Sequence, residues 1–218
     1  MKSLADCLLY GIIDLGYVAA DRIVSVAEQL CAGGVDILQL RAKGATDLEV
    51  EEMAFRLAPV TEAAGIPFII NDFPELAPAV GAQGAHVGQD DLPVRDARWR
   101  AGRSLGDTQA SVLIGKSTHS VVQAVAAQEE GANYIGFGPL YPTPTKAGRP
   151  AIGLEGIRKA HELVKIPIFC IGGIKLENLD EVLAAGARRV VIVSGLLQAP
   201  DPAAYCREVK SRLLAVHR

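Results

Sequence analysis

The apolar residues of this chain gather into eight short runs: "LLYGIID", "GGVDILQLR", "AAGIPFIIND", "GAQGAHVGQ", "ASVLIGKS", "GANYIGFGP", "VKIPIFCIGG" and "GARRVVIVS". Amphipathic stretches lie between them, among them Asp21 to Ala32, Leu48 to Ala64, Val121 to Glu130, Leu154 to Val164 and Leu176 to Ala185. A Gly-Gly or Gly-Ala pair stands ahead of four of the runs, and Ile-Pro opens two others. Glycine stops helices and proline is tolerated at a strand's first residue, so each joint reads as helix, stop, strand. Nearly unbroken apolar strands that alternate with helices are parallel strands covered on both faces. Eight such units in 218 residues predict one (β/α)8 TIM barrel over residues 1–218, in preference to an open doubly wound sheet.

In such a barrel the reactive groups sit at the carboxyl ends of the strands. The residues read there are "QLRAK", "ND", "GQDD", "GKSTH", "PTPTK", "IGGI" and "VSG", after runs two to eight. Asp72 and Asp91 end adjacent strands, and two hard oxygen ligands, with waters and a ligand's phosphates, are how Mg2+ is usually held. Asp90 competes with Asp91 for that role. Arg41 and Lys43 leave strand two on the same side, and Lys146 approaches from a loop stiffened by three prolines. With Gln39, Asn71 and Ser117 as neutral partners, these cations exceed what a monophosphate needs and point to pyrophosphate. Gly172 and Gly173, with "VSG" after strand eight, suggest a second phosphate site closed by backbone N–H groups. His86, inside an apolar run, reads as structural; His119 reads equally as a cap, an orienting group or a proton shuttle.

Composition narrows the ligand. Net charge is −3 and aromatics are 5 %, which argues against a nucleic-acid surface, so anion chemistry has to be local. The four cysteines have no zinc-like spacing and read as reduced thiols in a cytoplasmic protein. No run approaches the roughly 18 apolar residues of a membrane span, and no signal-peptide pattern opens the chain. A homodimer is left open.

"QLRAK", "IND", "HVGQDD", "GKSTH", "GPLYPTPTK", "IGGI" and "VIVSG", in this order, closely resemble the thiamine-phosphate synthase family, also called thiamine-phosphate pyrophosphorylases. The resemblance implies a transferase that joins hydroxymethylpyrimidine pyrophosphate to thiazole phosphate, or its carboxylated form, with release of pyrophosphate. It implies that Gln39, Arg41, Lys43, Asn71, Ser117 and Lys146 hold the pyrimidine pyrophosphate, and that Asp72 and Asp91 hold its Mg2+. Arg41, Lys43, Ser117 and Lys146 would act on the leaving group. Thr143 and Thr145, with Gly172, Gly173, Val193 and Ser194, would hold the thiazole phosphate. The departures are Ile13, where the family usually has a threonine, and "VSG" for the commoner "VSA". Two rivals remain: a thiazole tautomerase on the same barrel, which would use His119, and a non-catalytic phosphate-ligand sensor. A phosphosugar isomerase or aldolase would need a Lys or Glu inside the barrel, and no strand interior shows one. Gly148 would permit the 139–150 loop to close as a lid.

Overall fold

The computed structural model describes residues 1–104, 112–143 and 150–217. Eight parallel strands close on themselves in sequence order, β8 pairing with β1. They are β1 (Leu9–Asp14), β2 (Ile37–Arg41), β3 (Phe68–Asn71), β4 (Gly84–Val87), β5 (Leu113–Thr118), β6 (Tyr134–Phe137), β7 (Ile168–Cys170) and β8 (Val190–Ile192). Between and after them run α1 (Ile23–Ala32), α2 (Asp47–Ala63), α3 (Leu76–Ala79), α4 (Val94–Ser104), α5 (Val121–Glu129), α6 (Gly156–Leu163), α7 (Leu179–Ala184), α8 (Ser194–Leu197) and α9 (Pro202–Ala215). The chain is a TIM barrel, as the run pattern predicts.

Local chemistry explains the joints. Thr46 caps α2 in a reciprocal box with Glu49, and Asp201 caps α9 just before Pro202. Gly34 and Gly131, which end the α1 and α5 segments, have φ of 91° and 89°, a region that disfavours any side chain.

Period-two alternation divides each strand's residues between two cores. Leu9, Ile13, Leu38, Leu40, Ile70 and Ile114 belong to the large core that the strands share with the helices. Cys7, Tyr10, Ile12, Ile37, Ile69, Tyr134, Phe169 and Val191 form a smaller core enclosed by the strands. Phe169 meets Tyr10 and Tyr134 edge-on, with ring centroids 5.4 and 5.7 Å away, and closes the barrel below the cavity.

Away from that cavity, Asp36 is 2 % exposed and accepts from the N–H groups of Leu8 and Leu9 at 2.8 and 2.9 Å. It also pairs with the ammonium groups of Lys2 and Lys210. This carboxylate ties β1, β2 and α9 together. All four cysteines are free thiols, and burial pushes Cys7, Cys170 and Cys206 up to about 12. Among the described residues, no helix is long and apolar enough to cross a membrane.

Candidate active site

The carboxyl ends of the strands surround an open cavity of about 900 Å3, its mouth included. It is lined by inward-facing residues of every strand: Asp14, Gln39, Arg41, Asn71, His86 and Ser117 on one side, and Gly172, Gly173, Val193 and Ser194 on the other. The sequence reading placed the polar groups after the strands. Instead, Gln39, Arg41, Asn71 and Ser117 lie within them, because β2, β3 and β5 run on to Arg41, Asn71 and Thr118.

That extension corrects a second expectation. Lys116 is a strand residue, 5 % exposed, so a strand does carry a lysine. It neighbours Ser117 and therefore faces the opposite way, its Nζ donating to the Leu92 carbonyl at 3.1 Å in the outer layer. It is not a residue of the cavity.

Arg41 donates from Nη1 to Asp14 Oδ2 at 2.6 Å, and the other oxygen of Asp14 accepts from the Gly16 N–H at 2.9 Å. Asp14 is 2 % exposed, and the sequence reading assigned it no role. Lys43 forms an ion pair with Asp72. Asp72 has φ of 69°, a turn that an aspartate tolerates better than most side chains, and its N–H donates to the His86 carbonyl at 2.9 Å. Its carboxyl comes within hydrogen-bonding reach of Asp91, which also accepts from the Gly88 N–H at 2.6 Å. Burial, with the Asp91 charge beside it, pushes the Asp72 carboxyl above the ordinary carboxylate range against the pull of Lys43.

Two carboxylates held together in this way repel unless a proton or a cation joins them. All the donors are hard oxygens, which fits Mg2+ completed by waters and a ligand's phosphates. No group of three or more His, Cys, Asp or Glu side chains gathers among the described residues, so the pair is not a closed protein cage.

Across the cavity, Gly172 and Gly173 have φ of 101° and 67°. A Cβ on Gly172 would stand 2.4 Å from Pro139 Cα, and one on Gly173 would stand 2.7 Å from Tyr141 Cβ. Only glycine fits either place. At the start of α8 the Leu196 and Leu197 N–H groups both go to the Val193 carbonyl, at 3.1 and 3.0 Å, and Val193 and Ser194 line the cavity. Thr143 lines the same wall. The loop is anchored up to that point by Leu140 N–H on the Ile171 carbonyl and Tyr141 N–H on the Gly172 carbonyl, at 2.9 and 3.0 Å. Thr145, Lys146 and Gly148 lie outside the described residues, and so does half of the expected lid.

His119 binds the Gly138 carbonyl through Nδ1, which must therefore carry a proton, and its backbone N–H donates to Gln123 at 2.7 Å. His86 is no mere core residue: its ring lines the cavity and its Nε2 lies 2.9 Å from Ser117 Oγ. Asp14, His86, Tyr10 and Tyr134 share one signal in the sequence, their inward parity on strands with polar ends.

A TIM barrel with a cation and carboxylate wall facing a glycine-lined wall belongs to the phosphate-handling enzymes of this fold. Residues 9–196 match the family model for thiamine monophosphate synthase, and the chain belongs to that family. It is 44 % identical over 191 residues to a thiamine-phosphate synthase of Thermus thermophilus, covering 87 % of this chain and 88 % of the relative. Identity is also 44 % over 218 residues to that of Acidothermus cellulolyticus, covering 98 % of each. The solved thiamine phosphate pyrophosphorylase of Pyrococcus furiosus superposes with a TM-score of 0.84 at 31 % identity, covering 96 % of both chains. The activity is that of a thiamine-phosphate synthase, a transferase acting on small molecules.

Proposed function

We propose that the cavity holds 4-amino-5-hydroxymethyl-2-methylpyrimidine pyrophosphate against the wall of β2 to β5 and the thiazole phosphate against the loops after β6, β7 and β8. Arg41, Lys43, Asn71, Ser117 and Lys146 meet the pyrophosphate, Gln39 meets the pyrimidine end, and Asp72 with Asp91 holds Mg2+. Gly172, Gly173, Val193, Ser194, Thr143 and Thr145 hold the thiazole phosphate. What supports this reading most is that Arg41 and Ser117 line the same cavity as Gly172, Gly173 and Ser194, so two anions fit side by side.

The methylene C–O bond breaks first and its electron pair leaves with pyrophosphate. The aminopyrimidine delocalises the resulting cation, and the thiazole nitrogen then donates its lone pair to the methylene carbon. Such a reaction needs no strong base. It needs donors aimed at oxygens that gain charge and a second ring already in place. Arg41, braced by Asp14, and the Ser117 hydroxyl supply those donors from this chain. Mg2+, when bound, neutralises part of the charge on the leaving oxygens. The tautomerase reading loses ground because a reaction that handles no pyrophosphate has no use for the Asp72 and Asp91 pair; the His119 Nδ1 contact with the Gly138 carbonyl orients that ring without deciding its role.

Residues 1–218 act as one catalytic domain on this reading, in a cytoplasm whose reducing conditions suit four free thiols. The test is incubation with both substrates and Mg2+, with EDTA as the control. Thiamine phosphate and pyrophosphate should appear in equal amounts and only with metal. Binding of both ligands without turnover would favour the sensor instead. Loss of one preorganised donor costs about a hundredfold or more in kcat, the result expected for Lys146→Ala.

A further inference from the structure

Five polar side chains from five strands form a hydrogen-bonded chain across the floor of the cavity. Gln39 Nε2 donates to the Tyr10 hydroxyl at 2.7 Å, which lies 3.0 Å from the Tyr134 hydroxyl. That hydroxyl lies 3.3 Å from His86 Nδ1, and His86 Nε2 lies 2.9 Å from Ser117 Oγ. Chemistry gives the chain a direction. An amide nitrogen only donates, so Tyr10 accepts from Gln39 and passes its own proton to Tyr134, which passes its proton to Nδ1. A neutral imidazole that accepts at one nitrogen donates at the other, so Nε2–H points at Ser117.

The order requires protonated phenols and a neutral imidazole. Burial pushes the phenols of Tyr10 and Tyr134 above their ordinary range, so both keep the protons the chain requires. An imidazolium would donate at both nitrogens; Tyr134 would then turn to Tyr10, and one buried hydroxyl hydrogen would lose its acceptor. The backbone also makes room for the contact. A Cβ on Gly115 would stand 2.2 Å from Tyr134 Cζ and 2.6 Å from His86 Nδ1. Glycine weakens a strand interior, and here it permits the ring-to-ring approach.

We propose that His86 is a positioning residue for the transfer reaction: its Nε2–H holds Ser117 Oγ as an acceptor, so that the Ser117 proton is donated toward the leaving pyrophosphate. The same chain commits the Gln39 nitrogen to Tyr10 and leaves Gln39 Oε1 to accept from the amino group of the pyrimidine. This rests on the reading that Ser117 and Gln39 hold the pyrimidine pyrophosphate.

The experiment is a double-mutant cycle in steady-state kinetics with Ser117→Ala, His86→Phe and the pair, together with His86→Gln, whose amide can donate near the Nε2 position. Ser117→Ala and His86→Phe should each lower kcat by about tenfold or more, with smaller changes in KM. The pair should be no slower than Ser117→Ala alone, and His86→Gln should recover most of the rate. Losses that multiply in the pair, or a wild-type rate in His86→Phe, would overturn the proposal. A wild-type rate in Ser117→Ala instead overturns the site reading on which it rests. Histidine 15N spectra of the unaltered protein give a second measure. They should show the Nε2–H tautomer at His86, and Nδ1–H would mean that the chain runs the other way. Tyr134→Phe keeps the packing but removes the donor to Nδ1, so both tautomers should then appear; an unchanged tautomer and rate would count against the chain.

Discussion

Asp14 and Arg41 form a braced pair at the ends of adjacent strands: one carboxylate oxygen accepts from the guanidinium and the other from the Gly16 N–H. The pairing fixes the direction of a long side chain before any ligand arrives. Hydrogen bonds to charged groups are worth about 1.5–3 kcal/mol, so Asp14→Asn should lower kcat/KM for the pyrimidine substrate by about ten- to a hundredfold. Arg41→Lys should do as badly, because an ammonium cannot form the planar fork. Steady-state kinetics on both variants checks this.

If Asp72 and Asp91 hold Mg2+ as proposed, metal binding should be sensitive to acid. The Asp72 carboxyl lies above its ordinary range, so it takes up a proton at a higher pH than a free aspartate does. Protonation competes with Mg2+, and the Mg2+ concentration needed for half-maximal rate should therefore rise as pH falls toward that raised value. Asp72→Asn should weaken Mg2+ by more than the roughly 10–100-fold that loss of an outer partner costs. A thermal melt provides an independent reading: on the proposed site, Mg2+ at a hundred times its Kd should stabilise the parent protein by about 2.7 kcal/mol. Asp72→Asn should lose that gain.

Gly173→Ala should act on the other substrate. The position combines φ of 67° with a Cβ that would stand 2.7 Å from Tyr141 Cβ, so the loop has to shift. Left-handed strain costs about 1–3 kcal/mol, which should appear as a lower melting temperature. KM for the thiazole phosphate should rise, with KM for the pyrimidine substrate little changed. Equal losses for both substrates would contradict the division of the cavity into two walls.

Asp36 sets the acid limit of stability. Burial would raise its pKa, but Lys2, Lys210 and the N–H groups of Leu8 and Leu9 overcome that and hold it below 3.8. A lowered carboxyl stabilises the fold fully above its ordinary value, and that stability is lost as pH falls through the folded value. Asp36→Asn should cost about 3 kcal/mol at neutral pH, since it leaves two ammonium groups without a counter-charge. The variant should also show a flatter fall in stability between neutral and acid pH, measured by urea unfolding at several pH values.

The barrel was legible because its signal is repeated eight times in runs, glycine stops and Ile-Pro joints. The charged groups of the candidate site stood out for a related reason: Arg41, Asp72 and Asp91 are polar residues just where apolar runs end, and of these Arg41 lines the cavity. The brace and the floor were not. Asp14 closes a run that looks wholly structural, and His86 sits among apolar neighbours; only closure of the barrel brings residues 10, 39, 86, 117 and 134 together. Those contacts cross between strands far apart in sequence, and no local pattern encodes them.

Leu38 and Leu40 alternate with Gln39 and Arg41 along β2 and pack against the helices. A slip of one residue in that strand would turn both leucines into the cavity and bury the amide and the guanidinium in oil. The two leucines touch no ligand, yet their fit to the outer layer decides which side of β2 meets the substrate. Surveys of variation that count only cavity residues would miss them, and a change there should alter chemistry by way of register.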